Sequence, residues 1–289
     1  MQTLRSSGPP ALVIEPARGF GAFRPKELWD FWAYRELLYF LVWRDVKVRY
    51  KQTALGAAWA VLQPALGAVV FSLFFGRLAG IGSDGVPYPL FAYAGLMVWT
   101  FFSQGVTLAA NSLVGSANLI TKVFFPRAAI PTAAVLSGVV DLAVAFPVLG
   151  VLLFSYRMRP GSALLALPLP LALGLASALG AGLWLAALNV EYRDVRHVVP
   201  FFLQIWLFLT PVIYPASRVA GWLRQNGLPA WLVGINPMAG AVEGFRWALL
   251  RPQADPGPLL AVSSVSAAVL LLSGLFYFRS VERSFADVV

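Results

Sequence analysis

RDVKVRYKQTALGAAWAVLQPALGAVVFSLFFG, which runs from Arg44 to Gly76, changes from charged to apolar after Lys51. Its first eight residues carry five charged side chains, and the next 25 residues carry none. An α-helix needs about 20 apolar residues to cross the roughly 30 Å hydrocarbon core of a bilayer. The pattern therefore predicts a membrane-spanning helix over residues 54–76, entered from a cationic segment at the membrane surface.

The composition of the whole chain supports this interpretation. Of its 289 residues, 59% are hydrophobic and only 12% are charged, whereas soluble domains carry about a quarter charged residues. The net charge of +9 lies outside the apolar runs, so we interpret it as a topology signal and a contact with anionic lipids, and we expect no nucleic acid partner. The chain has no cysteine, which excludes disulfides and thiolate chemistry.

Five further apolar segments are long enough, or nearly so, to cross the membrane. The predicted spans cover residues 54–76, 89–110, 130–154, 163–188, 197–214 and 259–278. Placing both termini in the cytoplasm leaves 15 of the 22 basic residues inside, as the positive-inside rule requires. We predict an all-α membrane protein with a cytoplasmic N-terminal segment (1–53), a six-span membrane domain (54–278) and a cytoplasmic tail (279–289).

The cationic segment before the first span has the pattern of an amphipathic helix that lies in the membrane interface. On a helical wheel its aromatic residues form one stripe with cations on both sides, which suits head-group depth. The alternative is a merely basic flank. The residues concerned are Tyr39, Trp43, Arg44, Asp45, Lys47, Arg49 and Tyr50.

The segment between the fifth and sixth spans, Pro215 to Pro258, is apolar yet broken by Gly and Pro. A long apolar loop is uncommon in water, so we predict short re-entrant helices that form a lid on the outer side. Its candidate gate residues are Trp222, Trp231, Asn236, Pro237, Glu243 and Arg246.

The sequence contains few residues that could form an enzymatic active site. The single histidine, His197, has no second histidine or cysteine with which to form a metal site, and we interpret it as an interfacial residue at a helix start. Asp141 is the one acidic residue within a predicted span, which makes it either a functional group or a carboxyl bonded to a neighbouring helix. Without a Walker A sequence, any ATP-driven role needs a second polypeptide.

Three cytoplasmic segments interleave polar groups with aromatic rings at a membrane boundary. They are NLITKVFFPRAAIP from Asn118, NVEYRDVRHVVP from Asn189 and VERSFADVV from Val281. The first, with its rigid Phe-Phe-Pro corner, would suit docking into a groove on a soluble partner. The alternative is that all three are ordinary helix-ending loops.

Five ordered segments of the chain resemble the type 2 ABC transporter permeases that export polysaccharides such as O-antigen, teichoic acid and capsule. The resemblance runs from about residue 28 to 289 and rests on RDVKVRYKQTALGAAWAVLQP, NLITKVFFPRAAIP, EYRDVRHVVPFFLQIWLFLTPVIYP, INPMAGAVEGFRWALL and ERSFADVV. It implies six spans per subunit, a homodimer in the cytoplasmic (inner) membrane, and two copies of a separate nucleotide-binding subunit that holds ATP and Mg²⁺. This chain would bind no cofactor itself, and a lipid-linked glycan would pass between the two permease copies.

The resemblance also implies roles for particular segments. Tyr34 to Lys51 would be the interface helix, Asn111 to Arg127 would contain the coupling helix that meets the ATPase, and Pro215 to Arg251 would form gate helices. The coupling candidates are Asn118, Lys122, Phe124, Phe125, Pro126 and Arg127.

The transported sugar would contact the first and fifth spans, where aromatic faces can stack on sugar C–H groups without arresting a sliding polymer. Rings that face lipid or pack between helices are the alternative. The candidates are Trp59, Phe71, Phe74, Phe75, Phe201, Phe202, Trp206, Phe208 and Tyr214. Two alternative functions remain. One is an exporter of drugs or small lipids, and the other is a membrane-embedded transferase that acts on lipid-linked sugar.

Overall fold

A computed structural model describes residues 34–51, 56, 58–116, 119, 125–192, 194–250, 256–282 and 285. Every regular element within these residues is helical, which confirms the all-α prediction. The nine α-helices in this part of the chain are α1 (Arg35–Lys51), α2 (Ala58–Phe71), α3 (Tyr88–Ser112), α4 (Ala129–Ser155), α5 (Pro168–Glu191), α6 (Val195–Leu209), α7 (Ala216–Gln225), α8 (Pro237–Leu250) and α9 (Gly257–Val281).

Short helical segments extend or link these helices. A π-helical segment, Ser72–Leu78, continues α2. Segments of 3-10 helix cover Val114–Ser116 after α3, Ser162–Ala166 before α5 and Ala230–Ile235 between α7 and α8. Residues 1–33 of the predicted cytoplasmic N-terminal segment lie outside the described part of the chain.

Four helical stretches among the described residues are long and apolar enough to cross a membrane: Ala58–Leu78, Ala129–Ser155, Ser162–Glu191 and Gly257–Val281. They coincide with the predicted first, third, fourth and sixth spans. The predicted second and fifth spans correspond to α3, which is less hydropathic, and to α6, which has only 15 residues. The total of six spans therefore stays a prediction.

The helix α3 lies at the centre of the helix bundle. Of its 25 residues, 16 are buried, and the helix packs against α2, α4, α5, α6 and α8. Its apolar residues therefore pack mainly against other helices and not against lipid.

The tightest helix pair, α5 and α9, depends on glycine. A Cβ atom added to Gly180 would lie 2.7 Å from the backbone carbon of Leu270 and 2.7 Å from the backbone nitrogen of Leu271. Small residues of this kind allow helix backbones in membranes to approach closely. One helical turn further along, the Trp184 and Tyr277 rings stack with their centroids 4.2 Å apart.

Replacing Gly180 with valine should therefore destabilise the protein by about 1–3 kcal/mol, because the added atoms separate α5 from α9. Thermal unfolding of the detergent-solubilised protein, followed by intrinsic fluorescence, measures the loss. Gly150→Val on α4 is the matched control, since no atom lies within 4 Å of a Cβ added there. Equal melting temperatures for the two variants would contradict this account of the helix contact.

Candidate functional site

Helix α1, the predicted interface helix, is attached to α4 by a polar cluster at its C-terminal end. Arg49 forms an ion pair with Asp141 and donates a hydrogen bond of 2.8 Å to Ser137 Oγ. The Tyr50 hydroxyl donates a second hydrogen bond to Asp141. Asp141 is thus bonded to a neighbouring helix, which was one of the two interpretations of its sequence position.

Burial of this cluster also affects Arg49. Desolvation lowers the pKa of the Arg49 guanidinium from its ordinary value, and the nearby Tyr50 and Asp45 oppose the shift. An arginine remains charged throughout the physiological range despite such a shift. The guanidinium that faces Asp141 therefore carries a full positive charge.

The contacts of α1 indicate the path that it takes along α4. Leu41 belongs to a buried cluster with Ala129 at the start of α4, whereas Arg49 reaches Asp141 twelve residues later. Twelve helical residues correspond to a rise of about 18 Å. The helix α1 therefore follows the first half of α4.

The predicted aromatic stripe of α1 is divided between two environments. Tyr39 and Trp43 are exposed, whereas Val46 is buried and Tyr50 bonds to α4. Arg44 pairs with its neighbour Asp45 at 2.9 Å on the exposed side, where Lys47 also lies. The exposed rings and cations remain available to a lipid surface, and their role at the membrane interface stays a prediction.

Of the predicted coupling residues, the structure describes Phe125, Pro126 and Arg127. Phe125 is buried in a cluster with Phe278 and Phe285 from the C-terminal part of the chain. The Arg127 backbone N–H donates to Glu282 Oε1 at 3.0 Å, and its guanidinium donates to the Glu282 carbonyl oxygen. Asn118, Lys122 and Phe124 lie outside the described residues.

This attachment of the loop to Glu282 was not predicted. The sequence analysis selected the segment around Arg127 and the segment around Glu282 separately, because each mixes polar and aromatic residues. Nothing in the spacing of two groups that lie 155 positions apart indicates that they meet.

The candidate channel aromatics fall into two groups. Trp206 is partly buried against Phe102, with ring centroids 4.9 Å apart, and its Nε1 donates to Asn236 Oδ1 at 3.0 Å. The Tyr214 hydroxyl donates to the Phe208 carbonyl oxygen at 2.7 Å. Phe71 and Phe75 are also partly buried, whereas the exposed candidates are Trp59, Phe74, Phe201, Phe202 and Phe208.

Those exposed rings belong to two helices whose outer faces have no cover within the described chain. Only Pro64 and Ala68 are buried in α2, and only Val199 and Leu203 are buried in α6. Both helices contact the central helix α3 on one side. Their remaining surface is broad and apolar, and it includes Leu66, Val69, Val70, Leu73, Val198, Ile205 and Leu209.

The segment between α6 and α9 forms short helices, of which α8 is almost entirely enclosed. Arg246 on α8 is fully buried and donates to the carbonyl oxygens of Phe91 (3.1 Å), Pro211 (2.7 Å) and Val212. Its guanidinium carbon lies 3.5 Å from the centroid of the Phe91 ring. It also pairs with Glu243 at 3.3 Å, so one side chain joins α3, α8 and the end of α6.

The other predicted gate residues continue this network or lie outside it. Glu243 Oε1 accepts a 2.8 Å hydrogen bond from the Ala216 N–H at the start of α7. Asn236 accepts from the Met238 N–H at 3.1 Å and so caps α8, whose first residue is Pro237. Trp222 and Trp231 are instead exposed.

Comparison with known proteins identifies similar chains over nearly the whole length. The ABC-2 type transporter family matches residues 36–250, from the start of α1 to the end of α8. The O-antigen export system permease protein RfbA of Myxococcus xanthus is 30% identical over 262 residues, which cover 90% of this chain and 98% of that protein.

Two further relatives have related printed names. The O-antigen export system permease protein RfbA of Klebsiella pneumoniae is 26% identical over 256 residues, covering 88% of this chain and 95% of that protein. The polysialic acid transport protein KpsM of Escherichia coli is 22% identical over 246 residues, covering 83% and 92% respectively.

A double-mutant cycle should detect the attachment of α1 to α4. Arg49→Gln and Asp141→Asn are each expected to destabilise the protein, and their coupling energy should reach about 1–3 kcal/mol because the pair is largely buried. Unfolding of the micelle-bound protein by sodium dodecyl sulfate measures both quantities.

The exposed pair Arg44 and Asp45 on the same helix supplies the matched control for this cycle. Its coupling energy should stay below about 1 kcal/mol, as for other surface ion pairs. If the coupling energy of Arg49 with Asp141 is no larger than that of the control pair, this contact does not attach α1 to α4.

Proposed function

The chain belongs to the ABC-2 type transporter family of membrane proteins, and we propose that it forms half of an ATP-driven conduit for lipid-linked polysaccharide. It is the transmembrane subunit of a polysaccharide exporter in the inner membrane. The observation that carries this function is the similarity to O-antigen export permeases, which extends over 90% of the chain.

The uncovered faces of α2 and α6 support a homodimer with the path between its two copies. Contiguous exposed apolar surface marks a contact with lipid or with another protein. Two such faces, on helices that both contact α3 and with the rings of Trp59, Phe74 and Phe201 among them, would form an aromatic-lined path when two copies face each other. Aromatic faces contact sugar C–H surfaces with few directional bonds, so a polymer can slide along them.

The energy for this movement would come from two copies of a separate nucleotide-binding subunit, which holds ATP and Mg²⁺. The sequence has no Gly-rich phosphate loop with its lysine. In our proposal both termini and the segment around Arg127 are cytoplasmic, and the ATPase contacts this segment together with α1. We count α3 and α6 as spans, and we assign α7 and α8 to an outer gate.

The contacts of α4 with α9 and α1 would transmit a displacement caused by the ATPase. Arg127 at the start of α4 bonds to Glu282 at the end of α9, and Asp141 within α4 bonds to Arg49 of α1. A displacement of the loop before α4 would therefore act on three helices together. The reaction at this subunit is mechanical, with no covalent step.

Deleting the gene in its native cells should remove the polymer from the cell surface and leave lipid-linked polymer on the cytoplasmic side. Electrophoresis of surface polysaccharide and analysis of the inner-membrane lipid fraction measure the two pools. Inactivating the partner ATPase should produce the same result, because both components are needed for export. Normal surface polymer in the deletion strain would refute the proposed function.

The dimer arrangement has its own test, since the cysteine-free chain permits single thiols to be introduced. Val69→Cys on α2 should give a covalent dimer with a short bifunctional maleimide in native membranes, detected as a shifted band on a denaturing gel. Val151→Cys on α4 is the control, because the two valines are similarly exposed, at 57% and 64%. Cross-linking at residue 151 alone would place the dimer contact elsewhere.

A further inference from the structure

A pocket of about 300 Å³ lies between the connection from α2 to α3 and the short helices α7 and α8. This volume is at the lower end of the range for small-molecule sites. Residues from five parts of the chain line it, among them Asp84, Ser217, Arg224, Trp231, Glu243 and Pro258. The pocket is at the end of the helix bundle where α2 ends and α3 begins.

Hydrogen bonds define the polar side of this pocket. The Ser217 hydroxyl donates to Asp84 Oδ1 at 2.9 Å, which joins α7 to the α2–α3 connection. Both hydrogen bonds to Glu243, from Ala216 N–H and from Arg246, end on Oε1. Each carboxyl therefore retains a second oxygen as a further acceptor, and Arg224 contributes donors.

The charges around the pocket balance. Glu243 is paired with the buried Arg246 at 3.3 Å, and the remaining lining charges are the carboxylate of Asp84 and the guanidinium of Arg224. A phosphate or carboxylate ligand would meet two carboxylates here. An uncharged ligand rich in hydroxyl groups could instead donate to the carboxylates and accept from the guanidinium.

An aromatic ring completes this lining. Trp231 is half exposed and offers an amphipathic indole whose face can cover apolar C–H groups. Hydroxyl groups that alternate with C–H faces are the defining chemistry of a sugar ring. The combination of one indole, two carboxylates and one guanidinium therefore fits a neutral saccharide.

We propose that this pocket binds a sugar unit of the exported glycan on the outer side of the membrane. The proposal rests on the function given above and adds a specific site to it. Because the pocket adjoins α7 and α8, a bound sugar contacts the gate segment directly through Arg224 and Glu243. Such a site would hold the emerging chain between successive steps of transport.

A single thiol in the pocket wall tests this. Ala220→Cys lies in the lining, and its alkylation by a polar maleimide can be followed in the complex with the partner ATPase in lipid nanodiscs. The probe is a neutral oligosaccharide released by mild acid from the polymer that the native cells export. Alkylation should slow saturably with the probe, whereas Leu228→Cys, an exposed position outside the lining, should be unaffected.

Two further measurements make the result specific. Adding Trp231→Ala to the Ala220→Cys chain should raise the half-protecting probe concentration by up to about tenfold, whereas Trp231→Tyr should retain most of the protection. Glycerol 3-phosphate, which imitates a lipid head group, should not protect. Protection by glycerol phosphate, or none by the oligosaccharide, would overturn the proposal.

Failure of this proposal can be distinguished from failure of the export function. The Leu228→Cys gene, whose substitution lies outside the pocket lining, is also introduced into the deletion strain, where surface polymer reports export. Restored export without protection by the oligosaccharide rejects the pocket and leaves the function intact. Normal surface polymer in the deletion strain itself rejects the function.

Discussion

The buried guanidinium of Arg246 is the interaction on which the arrangement of the short helices depends. It donates to the carbonyl oxygens of Pro211 and Val212, which follow the end of α6. Gly95 on α3 belongs to the same unit, because a Cβ there would collide with the guanidinium and lie 3.0 Å from the Val212 oxygen. A buried charge without these partners would cost several kcal/mol, so α3, α6 and α8 are fixed together.

Burial divides the helices of the described chain into a well-packed block and two helices, α2 and α6, that bury few residues. The well-packed block contains most of the buried residues, and its helices pack extensively against one another. These helices are α3, α4, α5, α8 and α9. By contrast, α2 and α6 each bury only two residues. A helix with few buried contacts moves at low cost, and this applies to α2. The helix α6 is held at its C-terminal end by the hydrogen bonds of Arg246 to Pro211 and Val212.

Hydropathy and length predicted the all-α class and six spans, and four of these coincide with long apolar helices, because lipid imposes length and hydropathy on any exposed helix. They described α3 less well, since its environment is protein. The cost of a charge in a membrane identified Asp141 as unusual, but not its partner Arg49, which sequence analysis placed toward lipid. Periodicity contains no information on contacts such as that of Gly95 with Arg246, 151 residues apart.

The predicted channel-lining aromatic residues also could not be sorted into exposed and packed ones from the sequence. The apolar run of the fifth span gave no means of separating Phe201 from Trp206, although only Trp206 packs against Phe102 and bonds to Asn236. Exposure of a ring depends on which neighbours the tertiary fold supplies. Aromatic composition therefore indicated the helix that carries the exposed rings, and the fold selected the individual residues.

The strengths of the polar contacts indicate which joints would hold when the cytoplasmic end is displaced. The largely buried ion pair of Arg49 with Asp141 should contribute about 1–3 kcal/mol, whereas one hydrogen bond, such as the 2.7 Å contact of Gln104 with Gln63 between α3 and α2, contributes only about 0.5–1.5 kcal/mol. The polar contact of α1 with α4 would therefore outlast that of α2 with α3. Since six residues join α1 to α2 along the chain, movement of α4 would reach the exposed face of α2 through α1.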